Sequence, residues 1–546
     1  MDQIKLEKKT KLVADWQTLM RTYIRPEDDA SRATLVKYME QIFFGLNDFL
    51  KKHVGFTEKV SLKELSAKFT STIISKNPEQ KLADVITDLI EKIAPHAVNV
   101  ASPYFVGHMT SAIPFFMVHL KTIAAALNQN VVKIETSKVV SILERQVIAK
   151  IHRLIYEESE AFYQKNIHNI RTTLGCFIED GTLANLTAFW VARNSVLAPK
   201  SGFSGVEEDG ISAAYKAYQI DRCVILVSRL GHYCVKKAGG VLGIGNQNII
   251  TVDIDSDNRM NIDSLNKTIK DIKKDCIKTK IIAVVGIAGA TETGTVDPLH
   301  KIGEICAENK IHFHVDAAWG GPTLMSEKYR HLLEGIKLAD SVTIDGHKQF
   351  YMPMSAGMVF FKDPSIMDGI AYHSNYVNRH GSVDLGIKSL AGSREASSII
   401  LDSALKIMGS QGYALLIEHG IDTCFMFAEE IKKRQNFQLI TRPELNILTY
   451  RICPLNIQEK LAESNPEQIC KINKNLNKIN IRVQRLQREA GKSFVSRTRL
   501  ILSKWPGKNI VVFRCVIMNP MTNIKILNEI LDEQEEIFSE IGGFNP

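Results

Sequence analysis

Between residues 173 and 348 five short runs rich in β-branched and aliphatic residues recur, each closing on a polar turn. They occupy residues 174–178, 222–228, 281–285, 312–316 and 340–345. The first two are followed by stretches with helical periodicity. Strand alternating with helix is the pattern of a parallel sheet covered by helices, because consecutive parallel strands need a crossover between them. In such sheets the polar strand ends gather on one edge, and ligands bind there.

Two of those ends carry an acid and an amine. His312-Phe313-His314-Val315-Asp316 stops at Asp316 and continues Ala317-Ala318-Trp319-Gly320-Gly321. Ser341-Val342-Thr343-Ile344-Asp345 leads through Gly346-His347 to Lys348. Taken alone, each reads as well as a surface charge in a turn. Paired on one sheet edge they suit pyridoxal phosphate, whose aldehyde condenses with a lysine and whose ring nitrogen keeps its proton beside a carboxylate. The first strand opens on Glu179-Asp180-Gly181-Thr182, a glycine turn into a helix start, where free N–H groups and the helix dipole suit a phosphate.

These segments, with Gly231-His232-Tyr233-Cys234-Val235-Lys236-Lys237-Ala238 and Val512-Phe513-Arg514-Cys515-Val516-Ile517-Met518-Asn519-Pro520, resemble the group II pyridoxal phosphate-dependent amino-acid decarboxylases. The similarity covers about residues 100–400 and returns near 512–522, and the aspartate branch is nearest in its motifs. The resemblance implies an α/β fold of the fold type I, transferase-like kind. A helical dimerisation segment (1–110), a cofactor-binding large domain with a mainly parallel sheet (111–400) and a small α+β domain (401–546) are expected.

Roles follow residue by residue from the same resemblance. Lys348 is the cofactor lysine, Asp316 the partner of the ring nitrogen, and His232 and Ala318 pack on the ring. Gly181 and Thr182 hold the phosphate, Thr291 hydrogen-bonds beside the cofactor, and His347 touches the phosphate or relays a proton. Phe105, His108, Thr110 and Arg514 are expected at the substrate, with Arg514 gripping a carboxylate. Tyr376, in a polar aromatic stretch without periodicity, is the expected donor of a proton to the substrate carbon.

Two departures stand out. Many relatives place Ser or Asn three residues before the lysine, on the phosphate, whereas this chain has Asp345. Repulsion between a carboxylate and a phosphate dianion predicts that Asp345 points elsewhere. The serine two positions before the phosphate-loop glycine is replaced by Glu179.

The expected reaction is decarboxylation of an acidic L-amino acid, either L-aspartate to β-alanine and CO2 or L-glutamate to GABA and CO2. A tyrosine or aromatic amino-acid decarboxylase and a carbon–carbon lyase of the sphingosine-phosphate type share the same frame. Nine scattered cysteines without a C-x-x-C pair point to reduced thiols, hence cytoplasm, and no metal site is expected. No apolar run is long enough for a membrane span. Between Lys471 and Arg514 eleven basic residues precede the arginine against Glu489 alone. With only Phe494 and Trp505 among them, this reads as a solvated helix face rather than a nucleic-acid surface, and it could attract anionic substrate. The expected partners are the amino-acid substrate and a second copy of the chain, with active sites at the interface.

Overall fold

A computed structural model describes Trp16 and residues 29–51, 54–55, 62–374, 381–501 and 509–544. The central sheet has seven strands: β1 (Gly175–Ile178), β2 (Arg222–Ser228), β3 (Ile249–Val252), β4 (Thr279–Ile287), β5 (His312–Asp316), β6 (Ser341–Asp345) and β7 (Gly357–Phe361). Their spatial order is β1-β7-β6-β5-β4-β2-β3. Strands β3, β2, β4, β5 and β6 are mutually parallel. β7 runs antiparallel to β6 and to β1, so β1 points the same way as β6. The carboxyl ends of all five expected strands therefore lie on one edge. β5, β6 and β7 are buried along their whole length, as strands covered on both faces must be.

The sequence reading did not include β3 and β7. Each is an apolar run of four or five residues, a length at which periodicity does not tell strand from buried helix. β7 matters because it returns the chain beside β6 directly after the lysine turn.

The helices α1 (Asp29–Leu50), α2 (Lys138–Tyr156), α3 (Gly181–Val196), α4 (Ser398–Lys433), α5 (Pro466–Ala490) and α6 (Ile524–Glu540) frame this sheet and a second one. In α1 the expected apolar stripe forms only partial contacts: Phe43 meets Phe115 and His119, while Met39, Leu46 and Leu50 stay exposed. Among the described residues, no helix is long and apolar enough to cross a membrane.

The second sheet is antiparallel, ordered β10-β11-β9-β8, from β8 (Phe437–Leu439), β9 (Ile447–Ile452), β10 (Ser496–Ile501) and β11 (Asn509–Val516). α5 covers it. The helix starts with Pro466 at its first position and a reciprocal Asn465–Gln468 capping box, and stops at Gly491, whose φ of 71° suits glycine. Lys471, Lys474, Lys478, Arg482 and Arg485 line its exposed face, a solvated stripe opposite the buried Leu476, Asn480 and Val483. Loop residues 104–106 are tied to the small sheet: Val106 N donates to Phe494 O, and Val516 N donates to Val106 O. Arg394 forms a fork onto the carboxylate of Glu144 on α2, both side chains being almost wholly buried.

Candidate active site

A cavity of about 150 Å³ opens where the strand ends converge. Lys348, Asp316, His232 and His347 line it, together with Gly181, Thr182, Thr291 and Ala318. Larger space exists elsewhere, about 540 Å³ beside β1 with Glu144, Arg145 and Asp384 in its wall, but it lies away from those strand ends.

Local sequence places each group. Asp180 caps α3, accepting a hydrogen bond from Leu183 N at 2.9 Å, so the first N–H groups of the helix are left for a ligand. A β-carbon on Gly181 would come within 2.8 Å of Asp345 Oδ2, so glycine is what keeps this corner open. Asp316 ends β5 with both oxygens engaged: Oδ2 accepts from Asn185 Nδ2 at 2.9 Å and Oδ1 from Ala318 N at 3.2 Å. The carboxylate is buried and rigidly held, and each oxygen retains a further lone pair.

Lys348 Nζ lies 2.8 Å from Asp345 Oδ2. Burial works against its charge, but Asp345, then Asp316 and Cys234, outweigh burial and raise the lysine above its ordinary pKa. Asp345 thus does not point away, as charge reasoning on phosphate alone predicted. It lines the cavity, held by the ammonium three residues on and by the positive start of α3, with Oδ1 buried and lacking a partner among the described residues. His347 is fixed by its Nδ1–H, which donates to Ala356 O on the approach to β7 at 2.6 Å, leaving Nε2 3.8 Å from Asp345 Oδ2. His232 accepts weakly from Cys234 N at 3.4 Å through Nδ1. Burial lowers its pKa, against the opposing pull of Asp316, so the ring favours its neutral form.

Arg514, on β11, adjoins the cavity wall through Thr291. Its Nε donates to Thr291 O and its Nη1 to Gly107 O at 3.2 Å. Among the described residues no hydrogen bond engages Nη2. Burial lowers the guanidinium to about 10, against the attraction of Glu292. His108 Nδ1 pairs with Thr110 Oγ1 at 3.0 Å, and desolvation, then the charges of Arg514 and Lys348, lower its pKa.

Phe105 departs from its expected place. Its ring stacks on Phe494 at 5.1 Å and 18°, clamping the loop to the small sheet, and, like His108, Thr110 and Arg514, it is not among the residues that line the cavity. Met109 is the residue of that loop that does. Tyr376 lies outside the described residues. Asn185, Trp319 and Asp345 line the cavity without having been singled out as site residues. Asn185 was detectable, since it falls one helical turn after Gly181 and so on the same face of α3.

Among known proteins, the model of the pyridoxal-dependent decarboxylase conserved domain matches residues 67–453. An aspartate 1-decarboxylase of Aliivibrio fischeri is 44% identical over 526 residues, 96% of this chain and 95% of that protein. The acidic amino acid decarboxylase GADL1 of Homo sapiens is 26% identical over 468 residues, 84% of this chain and 81% of that protein. The crystal structure of mouse CSAD superposes with a TM-score of 0.79 at 22% identity, covering 92% of this chain and 99% of that one.

Proposed function

The chain belongs to the pyridoxal-dependent decarboxylases, amino-acid carboxy-lyases that use pyridoxal 5'-phosphate, and from that premise we propose that it converts L-aspartate to β-alanine and CO2. The observation that carries the choice of substrate is Arg514, a buried guanidinium with Nη2 uncommitted beside the cavity, together with similarity to an aspartate 1-decarboxylase over nearly the whole chain.

The residues fit the cofactor. The start of α3 at Gly181 offers free N–H groups to a phosphate, with the neighbouring Asp345 carboxylate paired to Lys348; Asp316 suits a protonated ring nitrogen, and Lys348 is the available amine. When bound, pyridoxal phosphate supplies an aldehyde for covalent capture of an amine and a ring that withdraws electrons from the α-carbon as CO2 departs. Asp316, anchored by Asn185 and Ala318 N, holds the proton on the ring nitrogen by a charge-assisted hydrogen bond. His232 and Ala318, both in the cavity wall, would pack against the ring. Asp345 favours the charged form of Lys348, so the ammonium must lose a proton before the amine can act as a nucleophile. Arg514 orients a substrate carboxylate, with the neutral His108 and Thr110 beside it. Tyr376 is proposed to return a proton to carbon.

We further propose a homodimer in the cytoplasm, with residues 1–110 contributing to the interface. Phe44, Phe115, Ile123, Leu127 and Val139 are exposed apolar side chains on helices that a second copy would cover. All nine cysteines are free thiols.

Measuring CO2 release from aspartate, glutamate, cysteine sulfinate, tyrosine and DOPA tests the reading. Aspartate is expected to be fastest, with glutamate lower by about 10–200-fold, the discrimination one methylene allows. A clear preference for tyrosine would overturn the assignment of Arg514 to a substrate carboxylate.

A further inference from the structure

Behind Asp316 and the Asn185 that anchors it runs a line of polar side chains, His314, Ser341 and His312, that the reaction as described leaves without a role. Asn185 Nδ2 donates to Asp316 Oδ2 at 2.9 Å, and Asn185 Oδ1 lies 2.8 Å from His314 Nε2. His314 Nδ1 lies 2.9 Å from Ser341 Oγ, and Ser341 Oγ lies 2.7 Å from His312 Nε2. Asn185, His314 and Ser341 are at most 1% exposed and His312 8%. The strand period builds the line: His312, His314 and Asp316 are alternate residues of β5 and share one face, while Ser341 of β6 is the register partner of His314.

Chemistry permits one direction of donation along it. A carboxylate only accepts, so Asn185 turns its NH2 to Asp316 and its carbonyl oxygen to His314. That oxygen also only accepts, so His314 carries its proton on Nε2 and leaves Nδ1 bare. Nδ1 then accepts from the Ser341 hydroxyl, whose lone pairs accept from His312 Nε2–H. Burial, reinforced by His312 and opposed by a contact with the Ser341 backbone, lowers His314 to about 3, which favours a ring with a single proton. Cys234 Sγ lies 3.3 Å from Asn185 Nδ2, a contact that agrees with this orientation of the amide.

We infer that Asn185, His314, Ser341 and His312 are positioning residues that fix the orientation and charge of Asp316 through hydrogen bonds donated in one direction, from His312 toward the carboxylate. This rests on the reading of Asp316 as the partner of the ring nitrogen. A buried polar cluster that merely satisfies its own hydrogen bonds would leave the cofactor ring unaffected when its far end is altered. A polarised line transmits the change to Asp316.

The test begins on the apoprotein labelled with 15N-histidine, where nitrogen NMR reads the tautomers. His314 is expected neutral with its proton on Nε2, and a proton on Nδ1, or on both nitrogens, overturns the inference whatever the variants do. Ser341→Ala is then loaded with pyridoxal phosphate labelled with 15N in the ring. The ring-nitrogen resonance is expected to move and cofactor affinity to fall about five- to tenfold, the effect of one lost hydrogen bond. Ser341→Thr, which keeps the hydroxyl, is expected to restore both. If Asp316→Asn shifts resonance and affinity but Ser341→Ala does not, the line of residues is inert and the inference fails alone. If Asp316→Asn shifts neither, the ring-nitrogen reading fails and takes the inference with it.

Discussion

Replacing Lys348 with alanine is expected to abolish CO2 release, by at least about 10⁴-fold, the upper end of what a single acid–base group contributes. The same variant is expected to lose the visible absorbance of covalently held cofactor. Lys348 Nζ is placed 2.8 Å from Asp345, on the wall it shares with Asp316 and Gly181. Removing it also leaves Asp345 buried without its ammonium, so the apoprotein is expected to lose stability through an unpaired carboxylate. An unchanged spectrum would remove Lys348 from its assigned role even if activity fell.

Arg514→Met is expected to reduce kcat/KM for the acidic substrate on the order of 10²–10⁴-fold, the consequence of losing two charge-assisted hydrogen bonds of about 1.5–3 kcal/mol each. Arg514→Lys keeps a positive charge but not the fork, and only a small part of the activity is expected to return. The guanidinium also ties the Thr291 turn to Gly107, so cofactor absorbance must be followed in parallel. Retained absorbance with lost activity assigns the effect to substrate. Equal loss for aspartate and for a monocarboxylic amino acid would show that Arg514 holds the loops and not the side-chain carboxylate.

The two ends of the site were readable because each is a strand terminus. The polar turns that close β5 and β6 mark where the chain leaves the sheet, and an acid and a lysine paired on that edge suit one cofactor. What stayed hidden depends on contacts far apart in sequence. Phe105 looks like a pocket aromatic until Phe494, nearly four hundred positions away, takes its ring. The partners of Arg514, Thr291 and Gly107, lie 223 and 407 positions away along the chain.

Asp345 is the more instructive miss, because its partner is local. Weighing its charge only against a phosphate predicted that it would turn away, yet Lys348 is three residues on and the turn brings them together. β7 escaped notice as a five-residue run, although it carries the backbone beside which His347 is oriented through Ala356.

Crystals grown with pyridoxal phosphate would test the central claim most directly. The density is expected to run continuously from Lys348 Nζ into the cofactor, with the ring nitrogen about 3 Å from Asp316. A cofactor joined to another lysine, or a ring nitrogen beyond hydrogen-bond reach of Asp316, would contradict it.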